Sequence, residues 1–407
     1  MQFDIFFSLS HTPVKGQLPS EAQMFRNFFD QVQAADQLGY STAWLAEAHL
    51  SSEIQKRNKK PVIPHWQGEV GLMTDFLQVA QQIFARTKQI ECGSAVMNIL
   101  CNGGPIAAAE RVVAFANLHG LDSSEKRRIH VGFAGGRFEF MNRPFGILPR
   151  NEVEEIAWPA LKGIIFREAA EIFCRLLRGD TISSSDIAAP HLTRSNFRSD
   201  EDWRAVQVAA QSSAEEITLE HRYRFEELAI IPKDWRRELV QLVVGSHDSA
   251  TQEVLNAILP VQVFNLSITQ AEKIEDTHRR LTQAYHPSGG QWQRSYMPRT
   301  TFVFINAQPH LNLLEQREAA HQEAQLALGE YWKALEGTLD PSKVTNAASN
   351  ALIGNPADII EQAKERFHPD DRLMLWFDFF NHDSKRVIEN MQAFMEHVAP
   401  SLQEASA

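Results

Sequence analysis

The segment Tyr40-Ser41-Thr42-Ala43-Trp44-Leu45-Ala46-Glu47-Ala48-His49 constrains this chain most. It reads as a buried strand that ends in a polar tip. A helical pattern precedes it from Met24 to Leu38, with Val32, Ala35 and Leu38 at helical spacing. Gly39 stands just past the last apolar residue, a normal helix stop. Helix, short turn, apolar strand and then Glu47 and His49 at the strand's carboxyl end is the order of an α/β barrel, where chemistry gathers at strand ends. A surface salt bridge and a loop imidazole explain the same two residues without chemistry.

The pattern recurs along the chain. Short runs rich in Val, Ile and Phe, mostly without alternation, mark strands buried on both faces. They fall at Phe3–Ser8, Thr42–Ala46, Ile90–Met97, Arg128–Ala134, Leu239–Val244, Val261–Leu266, Thr301–Ile305 and Leu373–Phe379. Helical patterns separate most of them: Met24–Leu38, Thr74–Thr87, Pro105–His119, Ala157–Leu177, Thr251–Ile258 and, after the last strand, Asp383–Val398. Eight strands with intervening helices predict a (β/α)8 TIM barrel, an α/β fold, as one domain over residues 1–407. The polar stretch from Arg178 to Arg237 breaks the repeat and reads as an insertion between the fourth and fifth strands. A second irregular stretch runs from Tyr285 to Pro298. Loops of this length in a barrel are expected as lids over the site.

Bulk properties exclude several classes. The net charge of −11 argues against a nucleic-acid partner, and the basic cluster Lys56, Arg57, Lys59 and Lys60 reads as a solvated loop. Cys92, Cys101 and Cys174 have neither metal-ligand nor disulfide spacing, so no metal is expected and a reducing compartment fits. The chain opens directly into Phe3-Asp4-Ile5-Phe6-Phe7, and no apolar run reaches about 18 residues. A cytoplasmic protein with no membrane partner is the expectation.

Trp44-Leu45-Ala46-Glu47-Ala48-His49 resembles the Trp-x-x-Glu-His-His signature of the bacterial luciferase-like flavin monooxygenases. Other segments resemble that family in the same order. They are Thr87 to Ala95, Val131 to Gly136 with Phe145-Gly146, Val243 to Ser249, Leu352 to Asp358, and the closing helix from Met391 to Pro400. The resemblance implies a luciferase-like barrel that holds reduced FMN, supplied by a separate flavin reductase. O2 would then place one oxygen atom on a small organic substrate through a flavin C4a-peroxide. It also implies a homodimer, built on helices flanking the second and third strands. Two alternatives stay open: a deazaflavin-dependent hydride-transfer enzyme, and a flavin-binding subunit without turnover.

The resemblance also carries residues. Ser246, His247, Ser249 and Thr251 match a phosphate-binding loop, and hydroxyls at a helix start suit an anion on physical grounds; a plain Ser N-cap fits equally. Gly135 stands where the family often has Arg, and Arg137 is the candidate replacement. Ala95-Val96 aligns with a non-proline cis peptide under the flavin ring, and Asn98 is a candidate for the ring edge or for capping. Ala48 replaces the first His of the His-His pair, which leaves His49 to donate a hydrogen bond, with Glu47 fixing its tautomer. Gly103 and Gly104 before Pro105 permit close approach of a ligand or make a turn. His286, Trp292 and Tyr296 are substrate contacts if their loop is a lid, and surface packing otherwise.

Overall fold

The first and last strands of the ring lie side by side, tied by a buried ion pair. Asp4 on the first strand accepts hydrogen bonds from Arg372 Nε at 2.6 Å and from Trp44 Nε1 at 2.7 Å. Arg372 Nη2 also donates to Thr42 Oγ1 at 2.7 Å. Three neighbouring strands are thereby joined inside the barrel.

The computed structural model describes residues 1–337 and 341–403; residues 338–340 and 404–407 of the expected domain lie outside the described residues. The ring strands are β1 (Gln2–Phe7), β2 (Thr42–Leu45), β3 (Glu91–Ser94), β4 (Ile129–Ala134), β5 (Val240–Val244), β6 (Val261–Val263), β7 (Arg299–Ile305) and β8 (Arg372–Trp376). All pair in parallel in chain order from β1 to β6, and β7 pairs with β8, which pairs with β1. A single parallel bridge, Asn265 with Arg299, joins the β6 end to β7. The eight expected strands are therefore present; six are shorter than their apolar runs, β1 is shifted by one residue at equal length, and β7 begins two residues earlier. An extra strand, Leu352–Gly354, adds to the carboxyl half of β7.

The helices that matter here are α1 (Glu21–Leu38), α2 (Phe76–Phe84), α3 (Gly104–His119), α4 (Glu152–Arg178), α5 (Ser249–Asn256), α6 (Ala271–Ala284), α7 (Leu313–Leu335), α8 (Pro356–Arg366) and α9 (Ser384–His397). Alternation along β1 shows how they pack. Phe3, Ile5 and Phe7 join the core beneath the helices, while Phe6 turns into the barrel. The interior cluster is Phe6, Trp44, Val243, Phe264 and Met374, with Ala46, Ala95, Val96 and Trp376 packed on it. Among the described residues no helix is long and apolar enough to cross a membrane.

The lid lies elsewhere than expected. A segment between a helix and the next strand returns to the amino pole of the barrel, away from the strand ends that carry chemistry. Tyr285 to Pro298 does so. Arg294 pairs there with Glu275 and with Asp371, just before β8, and Trp292 packs with Tyr285 and Tyr296 while donating to His278 Nδ1 at 3.0 Å. His286, Trp292 and Tyr296 are thus far-pole residues, not lid contacts. The insertion runs along the outside of α4, where Leu192, Trp203, Val206 and Ile217 cluster with Ala157. Its end reaches the start of α4 and Gly104: Arg222 and Tyr223 pack there, and Arg150 donates to the Glu220 and His221 carbonyls. The mouth is crossed instead by α7. Arg317 reaches Asp358 at the start of α8, and Glu323 meets Arg386 in α9. Tyr331 packs on Phe302, Phe379 and Phe380, and Ala334 and Leu335 meet Ile63, Trp66 and Phe138.

Two predictions follow from the polar floor of the barrel. Arg372→Met leaves the Asp4 carboxylate buried without its cation and should cost about 3–5 kcal/mol in urea unfolding. The second concerns Glu91, paired with His130 at 2.6 Å. Burial acts to raise its pKa, but hydrogen bonds from His130 and Arg128 outweigh burial and hold it at about 2. The unfolded chain protonates first as pH falls, so this contribution, up to about 3 kcal/mol, is present above pH 4.5 and lost as pH drops towards 2. Acid unfolding of Glu91→Gln should lack that increment.

Candidate active site

Glu47 gathers three N–H groups from three segments. Its Oε1 accepts from His49 Nε2 at 2.9 Å and from the Asn98 amide at 3.2 Å. Its Oε2 accepts from the Phe76 amide at 3.2 Å, at the start of α2, where a carboxylate is favoured. On the other side of the imidazole, Asn102 Nδ2 lies 3.2 Å from His49 Nδ1. An amide NH2 only donates, so Nδ1 accepts and the ring proton sits on Nε2, facing Glu47. The structure thus joins Glu47 and His49 and turns the imidazole donor onto the carboxylate. Asn102 was not singled out from sequence. Its φ of +50°, followed by positive φ at Gly103 and Gly104, bends the chain back towards His49.

The strand-end floor is made of small groups. The Ala95–Val96 peptide is cis, as the resemblance implies. Beside it a Cβ on Gly132 would lie 2.0 Å from the Ser94 carbonyl oxygen, and one on Gly245 would lie 3.2 Å from Ala134 Cβ. Asn98 is tied down at both ends of its amide. Its Nδ2 donates to Asn142 Oδ1 at 2.6 Å, its Oδ1 accepts from the Leu100 amide at 3.0 Å, and Asn142 donates in turn to the Gly135 carbonyl at 2.8 Å. Gly136, at φ +75°, leaves the room that the Asn98 amide occupies, since a Cβ there would lie 2.3 Å from Nδ2.

A cavity of about 200 Å³ opens at the ends of β4 and β5, lined by Arg137, Glu139, Trp158, Lys162, Gly245 and Ser246 among others. Arg137 is exposed and stacks over Phe138 at 5.2 Å, with no carboxylate partner among the described residues. Lys162 and Trp158 both bond Glu139. Of the four loop residues, Ser246 lines this cavity and the other three point elsewhere. Thr251 is buried, with its hydroxyl between Asp248 and Arg167; Ser249 is exposed; His247 lies 3.4 Å from Thr269 Oγ1. Burial, and secondarily the charge of Lys273, lower the His247 pKa. The start of α5 is capped by Asp248, which already receives the Thr251 amide at 2.9 Å and Arg167 at 2.8 Å.

The parallel barrel thus carries a carboxylate–imidazole pair at one strand end, a floor of small groups at the next and a cavity with an exposed Arg137 beyond, the layout of a barrel enzyme's strand-end site. The sequence profile of the luciferase-like monooxygenases matches residues 1–369, and the chain belongs to that family of enzymes. No curated protein matches it. Solved structures share the fold at low identity. The monooxygenase RslO1 from Streptomyces bottropensis is 17% identical, with 98% of this chain and 99% of that chain covered and a TM-score of 0.66. The oxygenating constituent of 3,6-diketocamphane monooxygenase from Pseudomonas putida, solved with FMN, is 13% identical, with 98% of each chain covered and a TM-score of 0.55. An F420-dependent secondary alcohol dehydrogenase is 12% identical, with 98% of each chain covered and a TM-score of 0.53.

The imidazole geometry is directly measurable. Long-range ¹⁵N–¹H correlations should show the neutral His49 ring protonated on Nε2. Asn102→Ala should admit the Nδ1–H tautomer. An unchanged spectrum in that variant would place Asn102 outside the pair's control.

Proposed function

We propose that this enzyme is an FMN-dependent two-component monooxygenase that puts one oxygen atom of O2 onto a small organic substrate. The observation that carries the reading is the cavity with unpaired Arg137 beside Ser246, two strands from the Glu47–His49 pair. A phosphate needs a guanidinium and hydroxyl donors, and these supply both. The floor of Ala46, Ala95, Val96 and Gly245 suits a flat ring system, since these four carry nothing larger than an isopropyl group, with the Trp376 indole beside them. Arg137, Lys162 and Ser246 would hold the phosphate, Ala95, Val96 and Asn98 would lie against the ring, and Ser249, Thr251 and His247 would shape the loop behind Ser246.

When bound, reduced FMN supplies the two electrons that activate O2. The chain's own task is then to exclude water and to hold protons. The aromatic lid of Tyr331, Phe379, Phe380 and Trp66 does the first. Glu47 fixes the His49 tautomer and keeps the ring in place for the second. A separate flavin reductase, a homodimer built on α2 and its neighbours, and a cytoplasmic setting complete the proposal. Hydride transfer with a deazaflavin is the second reading, favoured by the likeness to the F420-dependent dehydrogenase.

Stopped-flow mixing of anaerobic protein and reduced FMN with oxygenated buffer tests the first reading. Flavin oxidation should slow and pass through a persistent intermediate spectrum. Oxidation kinetics unchanged by the protein would sink it and favour deazaflavin binding. In parallel, Arg137→Ala should weaken FMN at least about tenfold while leaving riboflavin, which lacks the phosphate, unchanged.

A further inference from the structure

Above Trp376, at the β8 end, sits a carboxyl group that neither the ion-pair network nor the cavity at Arg137 uses. Asp378 follows Trp376 by one pleat, and Trp376 packs in the barrel interior with Ala95 and Val96. Asp378 Oδ1 is enclosed and has no hydrogen-bond partner, and the Trp376 indole N–H has none either. Ser10 Oγ, past the end of β1, is a third enclosed group without a partner. Behind the carboxyl lies a void of about 20 Å³, the size that holds one water. It is lined by Ser8, Ser10, Asn27, Gln31, Asp378 and His382 among others, so a water there finds several polar partners.

We propose that Asp378 is a proton-donating catalytic residue of this active site, recharged from solvent through a water held at the seam between the β1 and β8 ends, α1 and the turn before α9. The proposal rests on the oxidoreductase reading, in either its flavin or its deazaflavin form, because both reactions move a proton at the mouth. The carboxyl O–H bond breaks as its proton passes to a basic oxygen or nitrogen atom of the bound substrate or cofactor, and the carboxylate regains a proton from the water as the water takes one from solvent.

The surroundings suit that role. From α1, Met24, Asn27, Phe28 and Gln31 face the void, and none titrates. From β1 the facing groups are Ser8 and Ser10, and from α7 Tyr331 packs on the Phe379 and Phe380 rings. His382 is the one titratable neighbour lining the void. Its Nε2 donates to the Thr12 carbonyl at 2.6 Å, and burial lowers its pKa, which disfavours a cation beside the carboxyl. Burial raises the Asp378 pKa to about 7, against the weaker pull of the Ser8 amide and of the Trp376 indole, which lies near without normal hydrogen-bond geometry. A carboxylic acid poised there gives and regains a proton near neutrality.

Infrared titration of the full ligand-free chain reads the acid directly. A protonated-carboxyl stretch should be present at pH 6, fade through about pH 7, shift in D2O and be missing in Asp378→Asn. With reduced FMN and O2, the wild-type rate should fall as pH rises through the same range. Asp378→Asn should lower the rate at least about tenfold and flatten that limb, and Asp378→Glu should restore it. Absence of the band, or an unchanged pH profile in Asp378→Asn, overturns the proposal. If the wild type leaves flavin oxidation untouched, the flavin reading fails. The same pH series with a deazaflavin and a secondary alcohol then decides by the same two criteria.

Discussion

The Asp4–Arg372 pair is the constraint on which the rest of the barrel depends. It joins the first strand to the last, and through Trp44 Nε1 and Thr42 Oγ1 it adds the second. A charge in that position is costly without its partner, so the pair is weak evidence for stability and strong evidence for register. Register matters because a slip of one residue would turn Phe6, Trp44 and Met374 away from the interior. With register held, Glu47, Ala95 and Asp378 all emerge at the same pole.

Glu47 does for the mouth what Asp4 does for the floor. One carboxylate receives N–H groups from the β2 loop, the start of α2 and Asn98, two residues past the cis peptide. The two ends of the β2–α2 connection and the segment after β3 are thereby fixed against one another without a ligand. Asn98 extends the brace to the β4 loop through Asn142. The site residues sit on short strand-end segments, and this polar lattice gives those segments the rigidity that secondary structure no longer supplies.

Most of the barrel was legible because its strands are buried on both faces and read as unbroken apolar runs. The Glu47–His49 pair was legible for a local reason: both residues follow one such run within four positions. The lid was not legible, because the buried face of α7 is Ala320, Ala324 and Ala327, which carry little apolar contrast among their Glu, Gln and Arg neighbours. α6 hides likewise behind a stripe of Ile274, Thr277 and Leu281. Asn102, Asn142, Lys162 and Asp378 were missed because each is brought to the site by a different loop or helix. Spacing along the chain carries no trace of such meetings. The long loop at Tyr285 misled because length suggested a lid, while its place before a strand assigned it to the opposite pole.

Ala48 shows why a departure from the family pattern need not be a loss. The resemblance puts the first His of a pair there, yet the side chain at 48 does not face the imidazole network. It packs with Ile63, Trp66, Phe138, Phe140 and Met141 beneath the end of α7, and is 6% exposed. A Cβ on Gly71 would already lie 3.2 Å from Ala48 Cβ. An imidazole at 48 would have to displace this apolar contact. The small residue and the closed aromatic lid therefore belong together. The lid brings Trp66 and Phe138 down onto the position.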